Sequence, residues 1–156
     1  MNATGNTIIS RLAVLLIILF FVGLIIFKGK MNSFLSQTII TQNDPVSVAA
    51  VSAHIDSVWN YSKSSDTFEV TFLEFGSKGC SACRRMESVL DEFRQKYPER
   101  VNVVFINVLL PENQSLMKFY GITAIPTQIL LNRDGREFFR HSGYISFRDL
   151  SGKFNN

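Results

Sequence analysis

The sequence predicts an α/β protein in which a three-layer domain with a central mixed sheet follows an N-terminal transmembrane helix. Two observations indicate this organisation. An uncharged apolar block lies near the N-terminus, and beyond it apolar segments with helical spacing alternate with short segments rich in β-branched and aromatic residues. The chain has 156 residues, which is enough for one ordinary domain and a short extension.

The apolar block runs from Leu12 to Phe27 and contains sixteen residues without a charge. With its polar flanks it can cross a hydrocarbon layer of roughly 30 Å at about 1.5 Å per residue. Three interpretations compete: a retained signal anchor, a cleaved signal peptide and a buried core helix. The block has no polar positions at helical spacing, and no small-x-small cleavage site follows promptly. We therefore assign residues 1–28 to a membrane anchor and residues 29–45 to a polar, irregular linker.

The orientation of this single-pass anchor is not decided by charge, because Arg11 precedes the apolar block and two lysines, Lys28 and Lys30, follow it. Disulfides persist in oxidising compartments outside the cytoplasm. We therefore expect the domain to face the extracytoplasmic, periplasmic side. The net charge of +3 comes from 16 basic and 13 acidic residues without a basic stripe, so no nucleic-acid partner is predicted.

The domain is assigned to residues 46–156, and its first predicted element is a helix from Val46 to Tyr61. Five apolar residues there recur at three- and four-residue spacing on one helix face: Val48, Val51, Ile55, Val58 and Trp59. The segment from Phe68 to Phe75 predicts a buried strand that ends at Gly76. A helix that begins close to Cys80 follows, because apolar residues keep helical spacing after it.

A second, almost wholly apolar strand is predicted from Val101 to Leu109, and a short helix from Asn113 to Tyr120 ends at Gly121. A strand, a helix and another strand in succession indicate a parallel crossover. The remaining predicted elements are an antiparallel hairpin and a final helix: Gln128–Leu131, Glu137–His141 and Phe147–Phe154.

The only two cysteines, Cys80 and Cys83, lie where the first strand gives way to its helix. Unpaired backbone N–H groups and the helix dipole stabilise a thiolate at such a position, which predicts Cys80 as the nucleophile. About one helical turn later, Cys83 faces it and can resolve a mixed disulfide by attacking the first sulfur. The pattern predicts a redox-active dithiol with Cys83 as the buried resolving thiol.

Two other interpretations of the cysteine pair are less favoured. A closed zinc site needs four ligands, and the two histidines, His54 and His141, show no paired metal spacing. A purely structural disulfide over so short a loop constrains little of the unfolded chain. We predict no metal and no cofactor beyond the dithiol itself.

These residues resemble the thioredoxin family over essentially all of residues 46–156. The run LEFGSKGCSAC, from Leu73 to Cys83, is similar to the family's strand and active-site turn. Ile125-Pro126-Thr127 is similar to its cis-proline loop. The resemblance implies a cis bond before Pro126, with Ile125, Pro126 and Thr127 binding an extended substrate strand. The residues alone also allow a trans Pro126 that opens an edge strand.

Glu74 stands six residues before Cys80, where the family commonly has a buried acid. A carboxyl buried below the dithiol would have a raised pKa and could relay a proton to or from Cys83, whereas an ordinary strand-end glutamate would reach solvent. The chain also departs from the family. Glycines stand at both active-site tryptophan positions, Ser88 replaces the helix proline, and Phe105 aligns with the lysine that often neighbours the acid.

We therefore expect a membrane-tethered thiol–disulfide oxidoreductase that reduces disulfides in protein substrates through Cys80 and Cys83. The reducing direction rests on analogy, because Ile-Pro-Thr resembles reducing members of the family. An upstream thiol-redox partner, such as a membrane electron transporter, is implied for an outward-facing reductant. Two alternatives stay open: an oxidase or isomerase that uses the same site, and a non-catalytic protein that binds or assembles clients.

Overall fold

The computed structural model describes residues 11, 13–23, 35–36 and 38–154. These residues form two compact units with a boundary between residues 35 and 36. Residues 13–23 are helical, and the apolar side chains at 14–22 are exposed. Nowhere in the described part of the chain does a helix have the length and apolarity that a membrane crossing needs. Leu12 and residues 24–27 of the predicted span lie outside the described residues, so the span stays a prediction.

The stretch before the first long helix of the second unit is not the irregular linker that we predicted over residues 29–45. Residues 35–36 and 38–41 are helical, and Ser36 is buried. Its hydroxyl accepts a hydrogen bond from Nη1 of Arg140 at 2.9 Å and donates to the carbonyl oxygen of Tyr120 at 3.4 Å. These long-range contacts hold the stretch against the domain, and they leave no local signal in the sequence. Residues 29–34 and 37 lie outside the described residues.

Within the described residues, the second unit contains a four-stranded sheet and, after the helical residues at 38–41, four further helices. The strands are β1 (Val70–Gly76), β2 (Val101–Asn107), β3 (Thr127–Leu131) and β4 (Glu137–Ser142). The helices are α1 (Pro45–Trp59), α2 (Ser81–Lys96), α3 (Gln114–Phe119) and α4 (Phe147–Phe154), and 3-10 turns cover Tyr61–Lys63 and Pro111–Asn113. The strand order is β2-β1-β3-β4, with β1 parallel to β2 and antiparallel to β3. The predicted α/β fold with a mixed sheet is confirmed.

Hydrophobic cores on the two faces of the sheet make the domain three-layered. One core joins Ile55 and Trp59 of α1 to Leu73 and Phe75 of β1. The other core packs α2 and α4 against Phe72 and its neighbours on the opposite face. Side chains alternate between faces along a strand, so Glu74 and Gly76 lie on the same face as Phe72, under α2. Because β1 is central and covered on both faces, all seven of its residues are buried.

Two details of the predicted elements are wrong. Val58, which we placed on the apolar face of the first helix, is 46% exposed, while Ile55 and Trp59 are buried. The second strand ends at Asn107 rather than Leu109, because the chain turns there. The N–H of Leu110 donates to the carbonyl of Asn107 at 3.2 Å, and Leu109 projects into solvent.

Candidate active site

Cys80 and Cys83 form a disulfide at the N-terminus of α2, just beyond the carboxyl end of β1. Their Cα atoms are 5.2 Å apart. Cys80 is the N-cap residue in an extended backbone conformation, and its Sγ accepts a hydrogen bond from the N–H of Cys83 at 3.2 Å. A sulfur at this position faces the positive end of the helix dipole, so the helix stabilises a thiolate there.

The two sulfurs differ in exposure. Cys83 is only 4% exposed, whereas Cys80 is partly accessible to solvent. The turn that presents Cys80 is held by its N–H, which donates to the carbonyl of Ser77 at 3.2 Å, and by its carbonyl, which accepts from the N–H of Arg84 at 3.1 Å. Cys80 is therefore the sulfur that an external disulfide can reach. Cys83 can take part only by attacking a disulfide that Cys80 has already formed with the substrate.

The glycines at the family's two tryptophan positions have different surroundings. A Cβ atom on Gly76 would lie 3.4 Å from Sγ of Cys83 and 3.0 Å from Cε2 of Phe105, so Gly76 forms part of the packing around the buried sulfur. A Cβ atom on Gly79 would meet nothing within 4 Å. The space directly before Cys80 is thus open among the described residues.

Glu74 is fully buried on the same face of β1 as Gly76 and one pleat further from the cysteines. Since the Cβ position of Gly76 lies 3.4 Å from Sγ of Cys83, the side chain of Glu74 emerges on the face of β1 that carries Cys83, on the side of α2. Burial raises the pKa of Glu74 to about 8, and the nearby amide of Gln128 opposes part of that rise. A group with such a pKa can exchange a proton near neutral pH.

Gln128 is a member of the site that the sequence reasoning missed. It pairs with Glu74 across the antiparallel β1–β3 ladder and is also fully buried. No group of the described residues makes a hydrogen bond of good geometry with the carboxyl oxygens of Glu74 or the amide atoms of Gln128. The available signal was one amide in the otherwise apolar run that follows Thr127.

The Ile125–Pro126 peptide bond is cis, as the family resemblance implied. Thr127 pairs with Phe75 near the end of β1, which places this loop at the same edge of the sheet as the cysteine turn. The hydroxyl of Thr127 donates to the carbonyl of Ala124 at 2.8 Å and also contacts the hydroxyl of Ser142 at 2.9 Å. The carbonyl of Pro126 accepts from the N–H of Gly143 at 2.7 Å. The substrate-binding role of the loop stays a prediction.

A cation–π contact joins α2 to the segment that follows β4. The guanidinium of Arg85 lies over the ring of Tyr144, with Cζ 4.7 Å from the ring centroid. Tyr144 directly follows Gly143, whose N–H binds the carbonyl of Pro126. This cation–π contact therefore connects the cysteine helix to the cis-proline loop through one residue.

Among the described residues, no cluster of three or more His, Cys, Asp or Glu side chains has an arrangement that could hold a metal ion.

Comparisons with known proteins agree with this geometry. The profile of the thioredoxin-like domain family matches residues 62–156. Thioredoxin 1 of Synechococcus elongatus is 38% identical over 64 residues, which are 41% of this chain and 57% of that protein. The chloroplastic thioredoxin-like protein HCF164 of Arabidopsis thaliana is 30% identical over 67 residues, which are 43% of this chain and 26% of that protein.

A solved structure of thioredoxin-2, described as a component of malaria parasite protein secretion machinery, has a TM-score of 0.52 and 25% identity. The match covers 56% of this chain and 82% of that one. The chain spans less than two thirds of the length of the curated relatives named above, 57% and 26%. These relatives and the Cys80–Cys83 pair support thiol–disulfide exchange chemistry. Because the family profile covers more than half of the sequence, the chain belongs to the thioredoxin-like domain family.

Proposed function

We propose that the protein is a thiol–disulfide oxidoreductase that reduces disulfides in protein substrates through Cys80 and Cys83. The observation that carries the proposal is the asymmetry of the pair. Cys80 is accessible and caps the N-terminus of α2, while Cys83 is buried behind it. This arrangement suits a nucleophile and its resolving thiol, and the dithiol needs no further cofactor.

In the reducing direction, the Cys80 thiolate attacks one sulfur of the substrate disulfide, and the other substrate sulfur leaves as a thiolate. The product is a mixed disulfide between Cys80 and the substrate. Cys83 then loses its proton and attacks Sγ of Cys80, so the mixed disulfide breaks and the second substrate sulfur leaves. Two electrons pass to the substrate, and the protein ends with the disulfide that the structure contains.

Glu74 is proposed as the group that takes the proton from Cys83 in the second step. Its side chain is fully buried on the face of β1 that carries Cys83, and its pKa of about 8 allows it to gain or lose a proton near neutral pH. Proton transfer through Glu74 matters in the resolving step, since the first attack uses the thiolate that the helix N-terminus already stabilises. In the reverse direction, the same carboxyl returns the proton to Cys83.

The substrate is proposed to be an extended polypeptide that lies along Ile125, Pro126 and Thr127. The loop stands at the carboxyl end of β1 beside the cysteine turn, and Ile125 is partly exposed. Gly79, directly before Cys80, has no side chain, and a Cβ atom there would meet nothing within 4 Å among the described residues, so this position does not narrow the approach to Cys80. Backbone pairing of this kind gives affinity with little sequence preference.

We further propose that residues 12–27 tether the protein to a membrane and that the domain faces the extracytoplasmic side. The tether is supported by the sixteen uncharged residues and by the exposed apolar side chains of the helical residues 14–22. A reductant on that side requires a thiol-redox partner that delivers electrons, such as a membrane electron transporter. In intact cells, a membrane-impermeant thiol reagent should label reduced Cys80. Labelling that occurs only after lysis would contradict the orientation.

The deciding experiment is the equilibrium reduction potential of the full chain in detergent, with a C80S/C83S double variant as the blank. Glutathione and dithiothreitol buffers set the potential, and thiol trapping measures the reduced fraction. A two-electron transition at about −270 mV supports a reductase, and one at about −120 mV indicates a disulfide donor or isomerase. If no reversible transition occurs, the oxidoreductase proposal is wrong and a client-binding role is left.

A further inference from the structure

Glu74 and Gln128 form a buried polar pair on the α2 face of the sheet, and the half-buried His141, the partner of Gln128 in the β3–β4 ladder, is the titratable residue next to Gln128 in the same row. Glu74 and Gln128 are direct partners in the β1–β3 ladder, and both side chains are fully buried. Partners in an antiparallel ladder point to the same face, so Gln128 also lies under α2, on the side of Cys83. Along β3, Gln128 follows the buried Thr127 and precedes two apolar core residues, Ile129 and Leu130.

Burial of these two polar side chains lowers the stability of the folded domain. In the disulfide form described by the structure, the carboxyl oxygens of Glu74 and the amide atoms of Gln128 lack a well-formed hydrogen bond from the described residues. A buried polar group without a partner destabilises a protein, and an apolar side chain of similar size would avoid that cost. On the other side of Glu74, the ladder partner is the apolar Phe105. Gln128 is therefore the polar neighbour that the sheet provides for the carboxyl.

We propose that Gln128 is the positioning residue of the Glu74 carboxyl, and that its amide stabilises the carboxylate that accepts the proton of Cys83. This inference rests on the oxidoreductase function proposed above. A glutamine suits the task because it serves both protonation states: Nε2–H donates to the carboxylate, and Oε1 accepts from the protonated acid. The amide can therefore hydrogen-bond the carboxyl before and after the proton transfer without itself gaining or losing a proton.

The resolving step moves one proton and exchanges one S–S bond for another. The S–H bond of Cys83 breaks, its proton joins an oxygen of Glu74, and the sulfur forms a bond with Sγ of Cys80 while the substrate sulfur leaves as a thiolate. Gln128 exchanges no proton in this step, and its hydrogen bond to the charged carboxylate before the transfer is stronger than its hydrogen bond to the neutral acid afterwards. The direction in which the amide moves the pKa of Glu74, downward against the effect of burial, agrees with this role.

The test is Gln128→Met in the full chain, because methionine has a similar length but no amide. Stopped-flow experiments separate the attack of Cys80 from the resolving attack of Cys83 over a range of pH. Loss of the hydrogen bond that the amide is proposed to donate to the carboxylate before the transfer should move the midpoint of the resolving step upward by about one pH unit. At pH 7 that shift corresponds to a resolving rate about tenfold lower, while the attack by Cys80 keeps its rate.

Thr71→Val is the matched control. Thr71 is another fully buried polar residue of β1, and its hydroxyl donates to the hydroxyl of Tyr61 at 3.1 Å, away from the dithiol. This variant should lose stability but keep the wild-type pH midpoint. A Q128M midpoint equal to that of the wild type would overturn the positioning role, even though turnover continues. An absence of dithiol turnover in the wild type would instead refute the oxidoreductase function.

A second variant covers the case in which Q128M does not fold. Gln128→Asn keeps the amide but withdraws it by one methylene group. The carboxyl of Glu74 is then titrated by carbon NMR in the reduced chain, which reads the protonation of this group directly. An upward shift of its midpoint relative to the wild type supports the proposal, and an unchanged midpoint contradicts it.

Discussion

Phe105 lies opposite Glu74 in the parallel β1–β2 ladder, and its ring reaches within 3.0 Å of the Cβ position of Gly76. An apolar ring thus occupies the place next to the buried carboxyl where the family often has a lysine. The ring offers no charge that could stabilise the carboxylate. Its presence is consistent with the high pKa of Glu74, about 8, for which burial is the main cause.

We expect Phe105→Lys to lower the pKa of Glu74. Phe105 is 39% exposed, so a lysine there can keep its chain on the sheet and bring its ammonium group near the carboxyl. An opposite charge within a few ångströms favours the carboxylate and should lower the pKa by about one unit or more. Carbon NMR titration of the Glu74 carboxyl measures the shift. Phe105→Leu is the control, and equal midpoints in the two variants would refute the expectation.

The stability of the oxidised chain should fall as pH rises from about 4.5 to about 8. Between these values the unfolded chain has lost the Glu74 proton while the folded chain still holds it, so rising pH favours unfolding. The difference amounts to on the order of 4 kcal/mol across the window. Urea denaturation of the wild type and of Glu74→Gln at both ends of the window measures it. Parallel pH curves for the two proteins would show that Glu74 does not titrate in this way.

Substitution of one cysteine at a time should reveal the order in which the two thiols react. Cys83→Ser keeps the accessible nucleophile but removes the resolving thiol, so it should accumulate a mixed disulfide with a disulfide-containing peptide. Cys80→Ser leaves only a sulfur that is 4% exposed in the native chain, and it should form little adduct. Non-reducing electrophoresis and mass spectrometry quantify both. Comparable adduct in the two variants would contradict the assignment of nucleophile and resolving thiol.

Local patterns in the sequence predict the order of elements well, because each element buries its own apolar face. The final helix was predicted with its observed bounds, Phe147–Phe154, and the helix after the cysteines begins at Ser81. The cysteine pair could be recognised as the candidate redox site from its position between a predicted strand and a predicted helix. Such features depend on residues a few positions apart, for which periodicity is informative.

Features that depend on long-range contacts were not predictable in the same way. The helical stretch at residues 38–41 reads as a polar linker, and its attachment depends on Arg140, more than a hundred positions from Ser36. Gln128 reads as one polar residue in a short strand. Its importance becomes visible only when the ladder places it beside Glu74. Tertiary structure, not local propensity, determines these contacts.

The contact between Gly121 and Ser36 leads to a further prediction, that Gly121→Ala destabilises the domain. Gly121 has a φ of +58°, and a Cβ atom there would lie 2.5 Å from the backbone oxygen of Ser36. The left-handed conformation alone costs a non-glycine residue about 1–2 kcal/mol. The backbone of Ser36 must also move away from the new methyl group, which weakens its hydrogen bond with Arg140. We therefore expect a loss of about 2 kcal/mol or more in the free energy of unfolding.

Gly152→Ala is the matched control for this substitution. Gly152 lies inside α4, and a Cβ atom there would meet nothing within 4 Å. Alanine is the better helix former, so this variant should be as stable as the wild type or more stable by about 0.5–1 kcal/mol. Chemical denaturation of both full-chain variants gives the comparison, and limited proteolysis near residues 38–41 reports whether the stretch has detached. If G121A were as stable and as resistant to protease as G152A, the close packing of Ser36 on Gly121 would be disproved.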